Sequence, residues 1–211
     1  MPEAASSSNG DAARAVVLVE GVSDRAALEV LAGRRGMDLA AAGIAIVPMA
    51  GITNIGHFLA DYCAPGRGVR VTGLYDDAEE RFVRRGLRRV GLGGELDGRP
   101  REALEELGFY ACSPDLEDEL IRALGPVAML EIVDASGDLR SFRTLQRQPA
   151  QRSRSLHDQL RRLMGGRSGG KERYAAAMAA AVPLARVPRP LDAVLSHAHA
   201  AFGPFVPDSE H

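Results

Sequence analysis

Acidic residues stand where apolar runs stop. Ala15–Glu20 (AVVLVE) is a near-continuous apolar run that ends in Glu20-Gly21, and Asp24 follows one helical turn later on the same side. Val69–Tyr75 (VRVTGLY) runs into Asp76-Asp77, with Glu79 and Glu80 close behind. The short run Gly108–Cys112 is followed by Asp115, Glu117, Asp118 and Glu119. In an open parallel sheet, ligands bind beyond the carboxyl ends of strands. Carboxylates from three segments on one such rim repel one another unless a divalent cation offsets their charge, and hard oxygen donors of this kind suit Mg²⁺ or Mn²⁺. A bound ion of that class activates water and polarises a phosphoryl group. The helix dipole favours acids near helix N-termini and accounts for Asp24, Glu79, Glu80 or Asp115 taken singly. It does not account for Glu20, which closes an apolar strand.

The basic residues are unevenly distributed. The formal net charge is −2, but residues 140–173 hold ten basic and two acidic side chains, a local balance of +8, and residues 1–139 balance at −9. Arg147, Arg152, Arg154, Arg161, Arg162 and Arg167 are the candidate phosphate-tracking surface, because each neutralised phosphate releases counterions. Phe142 and Tyr174 are the segment's aromatics, too few for a base-stacking platform. The alternative is a solvated face, or pairing with the acidic half. Arg81, Arg84, Arg85, Arg88 and Arg89 form a second basic helix face after Asp76. Of the 26 basic residues one is lysine, Lys171, which follows the Gly-rich stretch GGRSGG and opens a helix. A lysine is a compact point charge, suited to stabilising charge on phosphoryl oxygens or orienting the attacking water.

The elements that would position these groups alternate. Strands are expected at Ala15–Glu20, Gly43–Pro48, Val69–Tyr75 and Gly108–Cys112. Helices are expected at Asp24–Gly36 with Ser23 as cap, from Asn54 through Tyr62, from about Ala78, and at Asp115–Leu124. Beyond residue 125 the strand signal ends, and Pro126–Val133, Leu139–Gln148, Ser153–Met164, Lys171–Ala181 and Pro190–Phe202 read as helices. The expected fold is α/β, a parallel sheet of about four strands flanked by helices and followed by a mainly helical C-terminal half. Residues 1–13 and 203–211 are polar tails, 14–125 the α/β domain, and 126–202 a helical basic region packed on it. The 211 residues include 45% hydrophobic and 26% charged side chains, an ordinary globular composition. No apolar run reaches the ~18 residues of a membrane span. The start MPEAASSSNGDAAR lacks the regions of a secretory signal, and two cysteines, Cys63 and Cys112, fit a reducing cytoplasm. His197 and His199, two apart on a helix, face different ways and form no usual metal pair. Gly51, Thr53 and Asn54 could hold a phosphate on backbone N–H groups, or simply form a turn and cap.

VLVEGVSDRAALEVLA, IVPMAGITNIGHF and GLYDDAEE together resemble the successive motifs of a TOPRIM domain, and most of all the TOPRIM half of the OLD-family (overcoming lysogenization defect) nucleases. The resemblance implies a Rossmann-like fold and Mg²⁺- or Mn²⁺-dependent phosphoryl transfer on nucleic acid, with DNA favoured. By position it carries a catalytic role to Glu20 and Lys171, and metal ligation to Glu20, Asp24, Asp76 and Glu117, with Asp115 as a rival. In the family an Asp-x-Asp closes the third strand, whereas here the second position is Ala78. Shifting the frame gives Asp77-x-Glu79, and Glu79 or Glu80 becomes the source of the missing ligand; Asp77 and Glu80 therefore join the candidate metal set. OLD nucleases carry an ATPase domain ahead of the TOPRIM domain, and no GxxxxGK[ST] occurs here, so a separate ATPase subunit is an expected partner. The expected function is a DNA endonuclease or nickase. The alternative is a nucleic-acid-binding or regulatory module with a degenerate metal site.

Overall fold

The computed structural model describes residues 13–94, 96, 98–166 and 169–200. Its strands are β1 (Ala15–Val19), β2 (Ile44–Pro48), β3 (Arg70–Asp76) and β4 (Phe109–Cys112). The first half contributes helices α1 (Val22–Arg34), α2 (Ile55–Tyr62), α3 (Glu80–Arg89) and α4 (Glu102–Glu106). The second half contributes α5 (Leu116–Ala135), α6 (Leu139–Arg147), α7 (Pro149–Arg152), α8 (Leu156–Met164), α9 (Gly170–Ala181) and α10 (Arg189–Ala200). Short 3-10 turns at Ile52–Asn54 and Asp77–Glu79 lead into α2 and α3.

All strand pairs are parallel, in the order β2-β1-β3-β4. The chain leaves β1 for β2 on one side and returns to β3 on the other. The connections therefore diverge between β1 and β3, which opens a crevice at their carboxyl ends.

Residues of β1 alternate between two cores. Ala15, Val17 and Val19 face one side with Ile44, Ile46, Leu74, Tyr110 and Cys112, under α1, α5, α9 and α10. Val16 and Leu18 face the other with Tyr75 and Phe109, under α2, α3 and α4. All five β1 side chains are fully buried, as an apolar run covered on both faces must be. Each buried Val or Leu contributes about 1.5–3 kcal/mol, so β1 is anchored on both sides. Gly73 in β3 leaves room for both neighbouring strands: a Cβ there would lie 2.8 Å from the buried Phe109 ring of β4 and 3.2 Å from the Leu18 carbonyl of β1.

One local expectation is corrected. The first helix is capped by Gly21, not Ser23; the Gly21 N–H donates to Asp24 Oδ2 at 2.8 Å, so Asp24 closes the first turn from within. The break expected between Leu124 and Pro126 is present: within α5, Gly125 takes the non-helical φ 78° ahead of Pro126, and a second helical stretch runs on to Ala135. The helical half also supplies a layer of the sheet sandwich: α9 packs on α1 and α5, and α10 on β3 and β4.

Candidate functional site

Glu20 follows the last residue of β1 and Asp76 closes β3, so the two central strands present them side by side at the switch-point crevice. Asp24 sits on the first turn of α1, and Glu117 on the first turn of α5, which follows β4. Lys171 is the second residue of α9, brought in by the packing of α9 on α1 and α5. Its Nζ lies 3.2 Å from Glu117 Oε1.

The electrostatics identify this group as one cluster. Burial pushes the Asp76 carboxyl up to about 7, helped by Asp24, Glu20, Asp115 and Glu117. Asp24 is pushed up to about 6, first by burial and then by Glu117 and Glu20, against the Gly21 hydrogen bond. Glu20 is raised by burial and by Glu79, with Glu117 adding and Lys171 opposing. Partial desolvation alone would lower Lys171, but Glu117, then Asp115 and Asp76, outweigh it and hold the ammonium above its usual value. Lys171 is therefore a proton-bearing donor at neutral pH rather than a base. A cation at a helix N-terminus opposes the dipole, and the neighbouring carboxylates offset that cost.

The other acids of the same stretches have different partners. Asp77 is paired with Arg101, and Glu80 is gripped by Arg84 at 2.7 Å and Arg101 at 2.8 Å. Burial would raise Glu80, but these arginine hydrogen bonds prevail and lower it. Neither Asp77 nor Glu80 is among the charges that raise Glu20, Asp24 or Asp76. Glu79, the alternative that the Ala78 position leaves open, is the carboxylate that acts most strongly on Glu20, and its Oε2 is buried without a hydrogen-bond partner. Asp115 spends Oδ1 on the Asp118 N–H at 2.9 Å as the cap of α5, and Oδ2 on Arg161. Asp118 meets His157 at 2.6 Å, and Glu119 meets Arg122 at 2.8 Å. Of the four acids from 115 to 119, Glu117 alone pairs with Lys171.

The arginine segment divides as well. Arg161 turns inward to Asp115 and Asp118, and so docks α8 on the start of α5. Arg147, Arg152, Arg154 and Arg162 are exposed, although Arg152 also donates to the Arg147 carbonyl at 2.9 Å. Arg167 lies outside the described residues. His197 contacts Tyr110 at 3.1 Å, and Cys112 is buried under the sheet.

Among the described residues no three His, Cys, Asp or Glu side chains form an ion cage by themselves. Mg²⁺ does not require one, since it keeps several waters and takes one or two carboxylates. The donor chemistry fits such an ion: an all-oxygen group, in which burial first and neighbouring carboxylates second make Asp24 and Asp76 hold protons more readily than usual, beside the orphaned Glu79 oxygen.

Residues 13–76 match the family model described as the overcoming lysogenization defect protein-like TOPRIM domain. TOPRIM domains generally bind divalent metal ions, and TOPRIM nucleases act on nucleic acid. No curated protein matches the chain. Among solved structures, the C-terminal region of the Xanthomonas campestris pv. campestris OLD protein, phased with platinum, superposes with a TM-score of 0.71 at 24% identity, over 90% of this chain and 93% of that one. The mercury-phased structure of that region gives 0.67 at 25% identity, over 90% and 96%. The C-terminal region of the Burkholderia pseudomallei OLD protein gives 0.67 at 21%, over 90% and 99%. No helix among the described residues is long and apolar enough to cross a membrane. Residues 13–76 are thus similar to the TOPRIM domain of overcoming lysogenization defect-like proteins, and the fold as a whole is similar to that of the C-terminal regions of the OLD proteins.

Proposed function

We propose that the chain hydrolyses phosphodiester bonds of nucleic acid, with DNA as the favoured substrate, using Mg²⁺ or Mn²⁺ held by Glu20, Asp24, Asp76 and Glu117. The observation that carries this reading is the set of mutually repelling carboxylates at the switch point, with Lys171 as their one close cationic partner among the described residues. A bound ion of this class supplies positive charge to the phosphoryl oxygens and a water of lowered pKa. Glu79, with a spare carboxylate oxygen beside Glu20, takes the place that Ala78 leaves without an acid. Asp24 is fixed by the Gly21 N–H and keeps its other oxygen for the crevice. Lys171 donates from its protonated ammonium to a phosphoryl oxygen as negative charge develops there.

The regulatory reading draws on one feature, Ala78 in place of an acid together with Asp77 being paired to Arg101. Supercoiled-plasmid cleavage with Mn²⁺ separates the two, using wild type, Glu20→Gln and Asp76→Asn. Cleavage by wild type that is lost in both variants supports hydrolysis. Cleavage that survives both changes overturns the site assignment. Metal binding in calorimetry without cleavage leaves the binding module.

A further inference from the structure

A second charged feature lies apart from the acidic crevice. Between α6 and α8 runs a cavity of about 440 Å³ lined by Arg140, Ser141, Thr144, Gln148, Arg162 and Gly166, with Leu145 and Leu163 beneath. None of the described residues lining it is acidic. Arg140 and Arg162 are exposed, and neither guanidinium has a carboxylate partner among the described residues. This sets them apart from Arg161 and Arg173, which are neutralised by Asp115 and Asp138.

We propose that this cavity is a backbone subsite that seats a phosphodiester of the nucleic acid, away from the bond being cut. The proposal rests on the nucleic-acid reading given above. Two guanidiniums offer planar forks that match phosphate oxygens. Gln148 and the hydroxyl residues Ser141 and Thr144 supply the neutral polar groups found around phosphate and sugar. No aromatic ring is among the described residues lining the cavity, so they offer no platform for a base, and their contacts carry no sequence information. A helix turns about 100° per residue, so α8 presents Arg162 to this cavity and Arg161 to the rim of the acidic crevice. One rigid helix thus fixes the spacing between the two sites.

The test is binding without cleavage. The whole chain is titrated in EDTA with a short labelled DNA duplex and with the RNA duplex of the same sequence, over a range of salt. Arg140→Gln with Arg162→Gln is expected to weaken binding about tenfold. It is also expected to reduce the slope of log affinity against log salt by about one for each phosphate that is no longer neutralised. Arg140→Lys with Arg162→Lys keeps the charge and is expected to retain the slope while losing part of the affinity. Unchanged affinity and slope in the glutamine variant, with an unchanged melting temperature, overturns the subsite and leaves the hydrolysis reading standing. A loss confined to inorganic phosphate, with duplex affinity intact, overturns it in favour of a free anion. Wild type that binds neither duplex, and cleaves no plasmid with Mn²⁺, overturns both readings.

Discussion

Two groups of carboxylates flank the end of β3, and they differ in what answers their charge. Asp77 and Glu80 are clamped by Arg101 and Arg84, which holds Glu80 below its usual range. One residue before Asp77, Asp76 joins Asp24, Glu20 and Glu117 in a group where burial and neighbouring carboxylates raise Asp76, Asp24 and Glu20, and Lys171 is the close counter-charge among the described residues. The first group is complete as it stands. The second, with Lys171 beside it, is further stabilised by protons or by an added cation. The partner of a carboxylate, rather than its local density, separates a structural acid from a candidate ligand.

The largest effects should fall on the uncompensated group. Asp76→Asn or Glu20→Gln should reduce Mn²⁺-dependent plasmid cleavage to background. A metal at about 100 times its Kd stabilises the folded state by about 2.7 kcal/mol. That corresponds to a rise in melting temperature of about 5–10 °C, which Asp76→Asn should abolish in a thermal melt. Lys171→Ala should lower kcat roughly 10²–10³-fold with the fold intact, as single-turnover cleavage would read.

The pH dependence has a definite sign. Asp76 has a folded pKa of about 7 and Asp24 of about 6, both above the ordinary carboxyl value of 3.8. The folded state therefore holds protons that the unfolded chain has already released, and metal-free stability falls as pH rises from about 4 to about 7. Wild type and Asp76→Asn should melt at nearly the same temperature near pH 4, and by pH 7 the variant should be the more stable. Metal affinity should run the other way and weaken below pH 7, because the ligands must give up their protons. A wild-type-minus-variant difference that is flat with pH would show that Asp76 is compensated by something else.

The smallest effect belongs to the clamped group. Arg101→Gln should cost about 0.5–1 kcal/mol, as expected for a partly exposed network, or about 1–4 °C in melting temperature. Cleavage should be nearly unchanged. A larger loss of cleavage than of stability would mean that Asp77 or Glu80 serves the crevice after all.

Much of this was legible in the chain itself. Glu20 and Asp76 are marked by apolar runs that end in acids, because a buried parallel strand leaves its last residue at the ligand-binding rim. Lys171 stood out against a background of arginine. The partition within DLEDE, and between Asp77, Glu79 and Glu80, was not legible. It depends on Arg101 and Arg161, which arrive from distant parts of the sequence and whose packing no local pattern encodes. Arg161 could be counted as basic, but that it faces inward becomes visible only once α8 is laid against α5. The layer formed by α9 and α10 on the sheet was hidden for the same reason, since helical periodicity gives a buried face without naming its partner.

The packing of α9 on α1 has a consequence during synthesis on the ribosome. Glu20, Asp24 and Asp76 emerge early, whereas Lys171 emerges only with α9, which must then pack on α1 and α5 to bring it to them. Long-range pairings of this kind form late in folding. A nascent or prematurely terminated chain would carry the acidic crevice without its ammonium. On the proposed hydrolysis reading, such a chain would hold the metal ligands without the donor that answers the developing negative charge.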